Sequence, residues 1–122
     1  MQMILPLILI IEKEQEVSEL LKDNLFFEGY DFVRINNTKN IRNNIFRLLP
    51  EVIVIDEKTF SEVIPAIKIY LSSVRLQTRL LTYNSYYKSF AEQELCFVSN
   101  SHETQYSVED LKDLVNRVVS LN

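Results

Sequence analysis

The sequence predicts an α/β domain whose five-stranded parallel sheet is doubly wound, with helices on both faces. Three observations carry that expectation. Short apolar runs rich in Ile, Leu and Val recur along the chain, and amphipathic stretches at helical spacing lie between them. Strand and helix alternate five times, the pattern of a mainly parallel sheet. Size and composition agree: 122 residues, 47% hydrophobic and 25% charged, make a single globular domain (1–122) with material for a real core.

The first run, Leu7-Ile8-Leu9-Ile10-Ile11, is apolar at every position, as in a strand covered on both faces. It is too short to span a bilayer, Pro6 interrupts the apolar stretch, and no basic residue precedes it as a signal peptide would require. The expected compartment is the cytoplasm. Val17, Leu20, Leu21 and Leu25 then mark an amphipathic helix, with Gly29 placed as its C-cap. Residues 30–35 read as the second strand. Thr38 is positioned to cap a helix with Ile41, Ile45, Leu48 and Leu49 on one face, and Pro50 ends it.

Val52-Ile53-Val54-Ile55 is the third strand and closes on Asp56. Phe60, Val63, Ile64, Ile67, Leu71 and Val74 repeat a helical spacing, with Pro65 tolerable in a first turn. Residues 79–83 form a fourth strand candidate, 85–93 a short weak helix, and 95–98 a fifth strand. Ser107 to Asp110 resembles a capping box opening a last helix with Leu111, Leu114, Val115, Val118 and Val119 inward. The lone Cys96 has no partner for an internal disulfide and reads as a small buried hydrophobe. A net charge of −4 speaks against direct nucleic-acid binding, which needs a basic face.

In open parallel sheets, function sits at the carboxyl ends of the strands. Here those ends carry Glu12-Lys13-Glu14, Asp56 and Thr82. A carboxylate closing an apolar strand is costly unless something uses it. From the residues alone, Asp56 is equally a functional acid or the cap of the following turn.

The ordered set resembles the receiver domains of bacterial response regulators in two-component signal transduction. Ile8 to Glu14 is similar to that family's first strand with its terminal acidic pair, and Glu28-Gly29-Tyr30 to its entry into strand two. Pro50 to Asp56 is similar to the strand delivering the phosphoacceptor aspartate, and Leu80-Leu81-Thr82 to the strand bearing the phosphoryl-binding hydroxyl. The resemblance covers essentially the whole chain and is clearest over 7–56. It implies a flavodoxin-like fold with strand order 2-1-3-4-5, Asp56 as phosphoacceptor equivalent, Thr82 as phosphoryl ligand, and Glu12 in the acidic pocket.

The departures are as informative. Lys13 stands where the family has a second acid, replacing a magnesium ligand with an ammonium. Glu14 is either a substitute ligand or a residue of the next helix. The family's lysine after strand five is absent in any register, with Ser99 or Thr104 in its place. No Lys or Arg lies between Lys88 and Lys112, and only His102 could carry positive charge there. The loop after Asp56 lacks the usual proline, the stretch from Asp56 to Thr82 is shorter than usual, and the aromatic switch position falls on Phe97 or Tyr106.

These readings predict a pseudo-receiver: a regulatory module, not an enzyme, with no cofactor and no metal. It acts through signalling proteins, either a sensor kinase or a downstream effector, or through a homodimer on the family's usual face. Lys13 is expected in the acidic pocket, its ammonium filling the metal's place beside Asp56 and Glu12, with a solvent-facing lysine as the plainer alternative. The competing expectation is a working phosphoacceptor with magnesium held by Glu12, Glu14 and Asp56. A small enzyme on the same fold is disfavoured by the lack of a Gly-rich phosphate loop and of a paired nucleophile and base.

Overall fold

The computed structural model describes residues 6–13, 18–19, 22, 31–74, 77–83, 97–99 and 105–106. Within them, six strands form one sheet: β1 (Leu7–Ile11), β2 (Asp31–Ile35), β3 (Val52–Asp56), β4 (Arg79–Tyr83), β5 (Phe97–Ser99) and β6 (Gln105–Tyr106). Their order is β2-β1-β3-β4-β5-β6. Besides helical residues at 18, 19 and 22, the described residues include α1 (Ile41–Leu48), the single turn α2 (Glu57–Phe60) and α3 (Ile64–Ser73).

The first four strands are parallel, in the order 2-1-3-4. Their apolar runs demand burial on both faces, and receive it. Ile8, Leu9, Ile10, Ile11, Val52, Ile53, Val54 and Ile55 are all essentially inaccessible, each contributing about 1.5–3 kcal/mol. Alternation sorts them by face. Leu9, Ile11, Ile53, Ile55 and Leu80 pack with Ile45 of α1 and Ile64, Ile67 and Leu71 of α3, so both helices lie on one side of the sheet.

The next strand departs from the expected parallel order. β5 takes the place beside β4 but runs antiparallel to it, with Leu81 opposite Ser99 and Thr82 opposite Val98, and β6 adds a second antiparallel strand. A parallel neighbour needs a crossover that returns the chain along the whole sheet, usually through a packed helix, whereas an antiparallel one needs only a reversal. The chain therefore leaves β5 toward the amino end of β4, away from the edge that carries Asp56.

The helix expected from Phe60 to Val74 is divided. Pro65 has no N–H to return to the carbonyl of Ser61, so α2 stops after one turn and α3 begins with the proline in its own first turn. Val74, expected inward, is exposed beyond the end of α3. At α1 the N-cap residue is Asn40 rather than Thr38, and its φ of 59° is one that asparagine tolerates. Leu49, also expected inward, sits in the left-handed region at φ 48°, where its N–H reaches the carbonyl of Ile45 and its side chain turns outward.

Residues 18, 19 and 22 are helical, within the first predicted helix. The rest of that helix, Gly29, Glu14, the 85–93 segment, Cys96, His102, Thr104 and the last helix lie outside the described residues. No helix among the described residues is long and apolar enough to cross a membrane.

Candidate functional site at the carboxyl edge

Register decides which side chains meet at the carboxyl edge. Ile10 is opposite Arg34 on one side and Val54 on the other, and Val54 is opposite Leu81. One pleat further on, Glu12, Asp56 and Tyr83 form the next row on the same face of the sheet, with Asp56 opposite Tyr83. Thr82 is opposite Ile55, so alternation places it on the other face, toward α1 and α3. It is buried, as a strand-end hydroxyl in that position must be. The residue of β4 that shares a row with Asp56 is therefore Tyr83.

Glu12 is only 3% exposed. Its Oε1 accepts the backbone N–H of Ser18 at 2.7 Å, and its Oε2 accepts the Tyr83 hydroxyl at 3.0 Å. Arg34 Nε approaches Oε1 at 3.9 Å, an ion pair rather than a hydrogen bond, while Arg34 Nη2 donates to the carbonyl of Lys13 at 2.7 Å. The guanidinium thus ties the end of β1 to β2 and brings positive charge to a buried carboxylate, which would otherwise be expensive to desolvate.

Asp56 is 5% exposed and turned toward its own chain. Its Oδ1 accepts the backbone N–H of Lys58 at 3.2 Å and its Oδ2 the Thr59 hydroxyl at 2.7 Å, making it the N-cap of α2. The capping role left open by the sequence is the one the geometry displays.

Lys13 does not enter the pocket. Its side chain is exposed, and among the described residues the ion pair at this edge is Arg34 with Glu12, not Lys13 with Asp56 or Glu12. An ammonium is strongly hydrated and loses much on burial, whereas the weakly hydrated guanidinium can serve a buried acid and a carbonyl together. Lys13 contributes its backbone carbonyl instead. Lys13→Ala should accordingly change the unfolding free energy by no more than about 0.5 kcal/mol. Arg34→Ala should cost about 1–3 kcal/mol, because a buried acid loses its cation and a carbonyl its donor. Urea titration of the two variants checks the contrast.

Ser99 lies within β5, opposite Leu81, and not beyond the strand as the 95–98 reading required. Because β5 is antiparallel, the chain at Ser99 leads away from the edge that carries Asp56. Phe97 opens β5 opposite Tyr106.

Sequence reasoning overlooked Arg34, Tyr83, Ser18 and Thr59. Two signals were present: a charge interrupting the apolar 32–35 run, and an amphipathic ring at the end of β4.

Among the described residues no three His, Cys, Asp or Glu side chains gather into a metal-binding group. Magnesium prefers near-octahedral oxygen ligation. Here each oxygen of Asp56 accepts one hydrogen bond, from Lys58 or Thr59, and each oxygen of Glu12 one, from Ser18 or Tyr83, while Glu14, the third ligand of the metal-binding alternative, lies outside the described residues.

Fold and site together define an α/β protein with a four-stranded parallel core and a buried, hydrogen-bonded acidic pair at its carboxyl edge. No family model matches the chain, and no curated protein or solved structure is significantly similar to it.

Proposed function

We propose that this protein is a receiver-like regulatory module of the pseudo-receiver kind, which works by docking other signalling proteins rather than by accepting phosphate through magnesium. The single observation that supports this most is the engagement of both carboxylates at the carboxyl edge. Asp56, the phosphoacceptor equivalent, accepts one hydrogen bond at each oxygen from the first turn of α2, and Glu12 accepts from Ser18 and Tyr83. A nucleophilic carboxylate needs a free oxygen and a cation to offset charge developing on the phosphoryl group. Among the described residues each Asp56 oxygen already accepts a hydrogen bond from its own chain, and the antiparallel β5 leads the chain away from where a phosphate-binding lysine would stand.

The order β2-β1-β3-β4, with α1 and α3 on one face, is compatible with a flavodoxin-like core, and we read the antiparallel end of the sheet as a departure from it. The module is a cytoplasmic regulator, not an enzyme, and its partners are a kinase or an effector.

Acetyl phosphate with magnesium tests the reading. Negligible labelling of Asp56 is expected, and beryllofluoride with magnesium should leave the NMR signals of Asp56, Thr59 and Tyr83 unmoved. Efficient magnesium-dependent labelling that disappears in Asp56→Asn would overturn it and favour a working phosphoacceptor.

A further inference from the structure

We infer that the outer edge of β2 is a self-pairing surface, on which a second copy of this chain adds its own β2 antiparallel across a two-fold axis. The inference goes beyond the reading of Asp56 and Glu12 and does not depend on it.

β2 ends the sheet among the described residues, with β1 as its neighbour. Alternation divides its backbone between two sides. Asp31 N–H donates to the carbonyl of Pro6 at 2.9 Å, and the carbonyl of Ile35 accepts from Glu12 N–H at 3.1 Å. Asp31, Val33 and Ile35 therefore bond inward to β1, and Phe32 and Arg34 direct their N–H and C=O groups away from the sheet. A row of backbone donors and acceptors stands there with no partner among the described residues.

Edges of this kind are normally blunted by lysine, proline or a bulge. The run Asp31-Phe32-Val33-Arg34-Ile35 has neither lysine nor proline, and its pairing with β1 is regular throughout. Its one cation, Arg34, is committed inward: Nη2 donates to the Lys13 carbonyl at 2.7 Å, and Nε lies 3.9 Å from Glu12 Oε1. Its one acid, Asp31, stands at the first position, whose backbone bonds to β1. Phe32, Val33 and Ile35 complete the strand and are half-buried.

The order of the outward groups selects the occupant. They are symmetric about Val33, with a donor and an acceptor on each side, so the strand is its own complement. Antiparallel pairing centred on Val33 sets Phe32 opposite the partner's Arg34 and uses every outward donor and acceptor of both strands. Phe32 and the partner's Arg34 then share a face, where the ring covers the arginine stem. Centring on Arg34 would set like charges opposite each other, and centring on Phe32 would put Arg34 opposite residue 30, outside β2. A parallel pair makes slanted bonds that a two-fold axis cannot close. A standard interface takes about 20–30 residues a side, and this five-residue strand supplies fewer, so the dimer is weak and grows with concentration.

Cross-linking reads the register directly. In the paired strands the two Val33 Cα atoms lie about 4.5 Å apart, within disulfide range, whereas the two Asp31 Cα atoms lie about 14 Å apart. Under mild oxidation of the full chain at high concentration, Val33→Cys should form a covalent dimer at least about tenfold faster than Asp31→Cys. Peptide mapping separates that link from any through Cys96. Phe32→Pro removes an outward N–H and spares every bond to β1. Added to Val33→Cys, it should abolish the link while the Asp31 and Ile35 amides stay protected from exchange. In the wild-type chain, exchange of the Phe32 and Arg34 amides should slow as protein concentration rises. Equal cross-linking of the two cysteine variants, no link between the residues at 33, or a link that survives Phe32→Pro would overturn the assignment. So would Phe32 and Arg34 signals that shift with an alternating valine-threonine peptide but not with concentration, which would give the edge to a foreign strand. None of these outcomes touches the Asp56 labelling result.

Discussion

Glu12→Ala should lower the unfolding free energy by about 2–5 kcal/mol, the largest effect expected of any polar substitution at the carboxyl edge. The carboxylate accepts from Ser18 N–H and from the Tyr83 hydroxyl, and it balances the Arg34 guanidinium. Alanine takes the Glu12 acceptor from a buried phenol and the charge partner from a mostly buried cation. Each such loss carries a desolvation penalty of about 1–3 kcal/mol. Glu12→Gln keeps the shape and one acceptor oxygen, so it should fall between alanine and wild type. Tyr83→Phe should cost about 1 kcal/mol, and the double variant Glu12→Ala/Tyr83→Phe should cost less than the two changes summed, because both variants remove the same Tyr83–Glu12 hydrogen bond. Urea denaturation with an unchanged slope gives each value. Additive losses across that cycle would show that Glu12 and Tyr83 do not act on each other.

Asp56→Ala should destabilise by about 1–2 kcal/mol, and here the sign discriminates between functions. An acidic pocket built to await a metal stores repulsion among its carboxylates, and removing one of them relaxes it. Asp56 instead caps α2 through Lys58 N–H and the Thr59 hydroxyl. Removing it takes the acceptor from a partly buried amide at the start of a single-turn helix. Asp56→Asn keeps one acceptor and should lose less. Thr59→Ala should lose least, since Thr59 is exposed and its place can be taken by water. A rise in stability for Asp56→Ala, measured by thermal and urea unfolding without added metal, would restore the picture of a strained acidic pocket and count against the capping account.

How much of the fold and site was legible in the sequence depended on the range of the interactions involved. The apolar runs at 7–11 and 52–55 are short and rich in β-branched residues, which favours strands covered on both faces over a longer buried helix. The spacing of Ile41, Ile45, Ile64, Ile67 and Leu71 marked the inner faces of α1 and α3 for the same local reason. Phe46, Leu49, Ile69 and Val74 were less readable. Helix ends, caps and a proline break decide where those side chains turn, and hydrophobicity alone assigned Leu49 and Val74 to the core.

By itself, then, the sequence determined the parallel four-stranded core, the placing of Glu12 and Asp56 at its carboxyl edge, and the absence of a lysine able to follow strand five. These rest on periodicity and on the order of residues along the chain. Only the tertiary structure decided which cation serves the buried acid. Lys13 is adjacent to Glu12 in sequence, but Arg34 reaches it from the neighbouring strand, since register and alternation bring β1 and β2 together and a guanidinium tolerates burial that an ammonium does not. Only the tertiary structure, likewise, put Tyr83 rather than Thr82 in the row with Asp56 and turned β5 antiparallel. A shift of one residue in a strand exchanges its two faces, and that parity is set by the neighbouring strand, which the chain's own order does not contain.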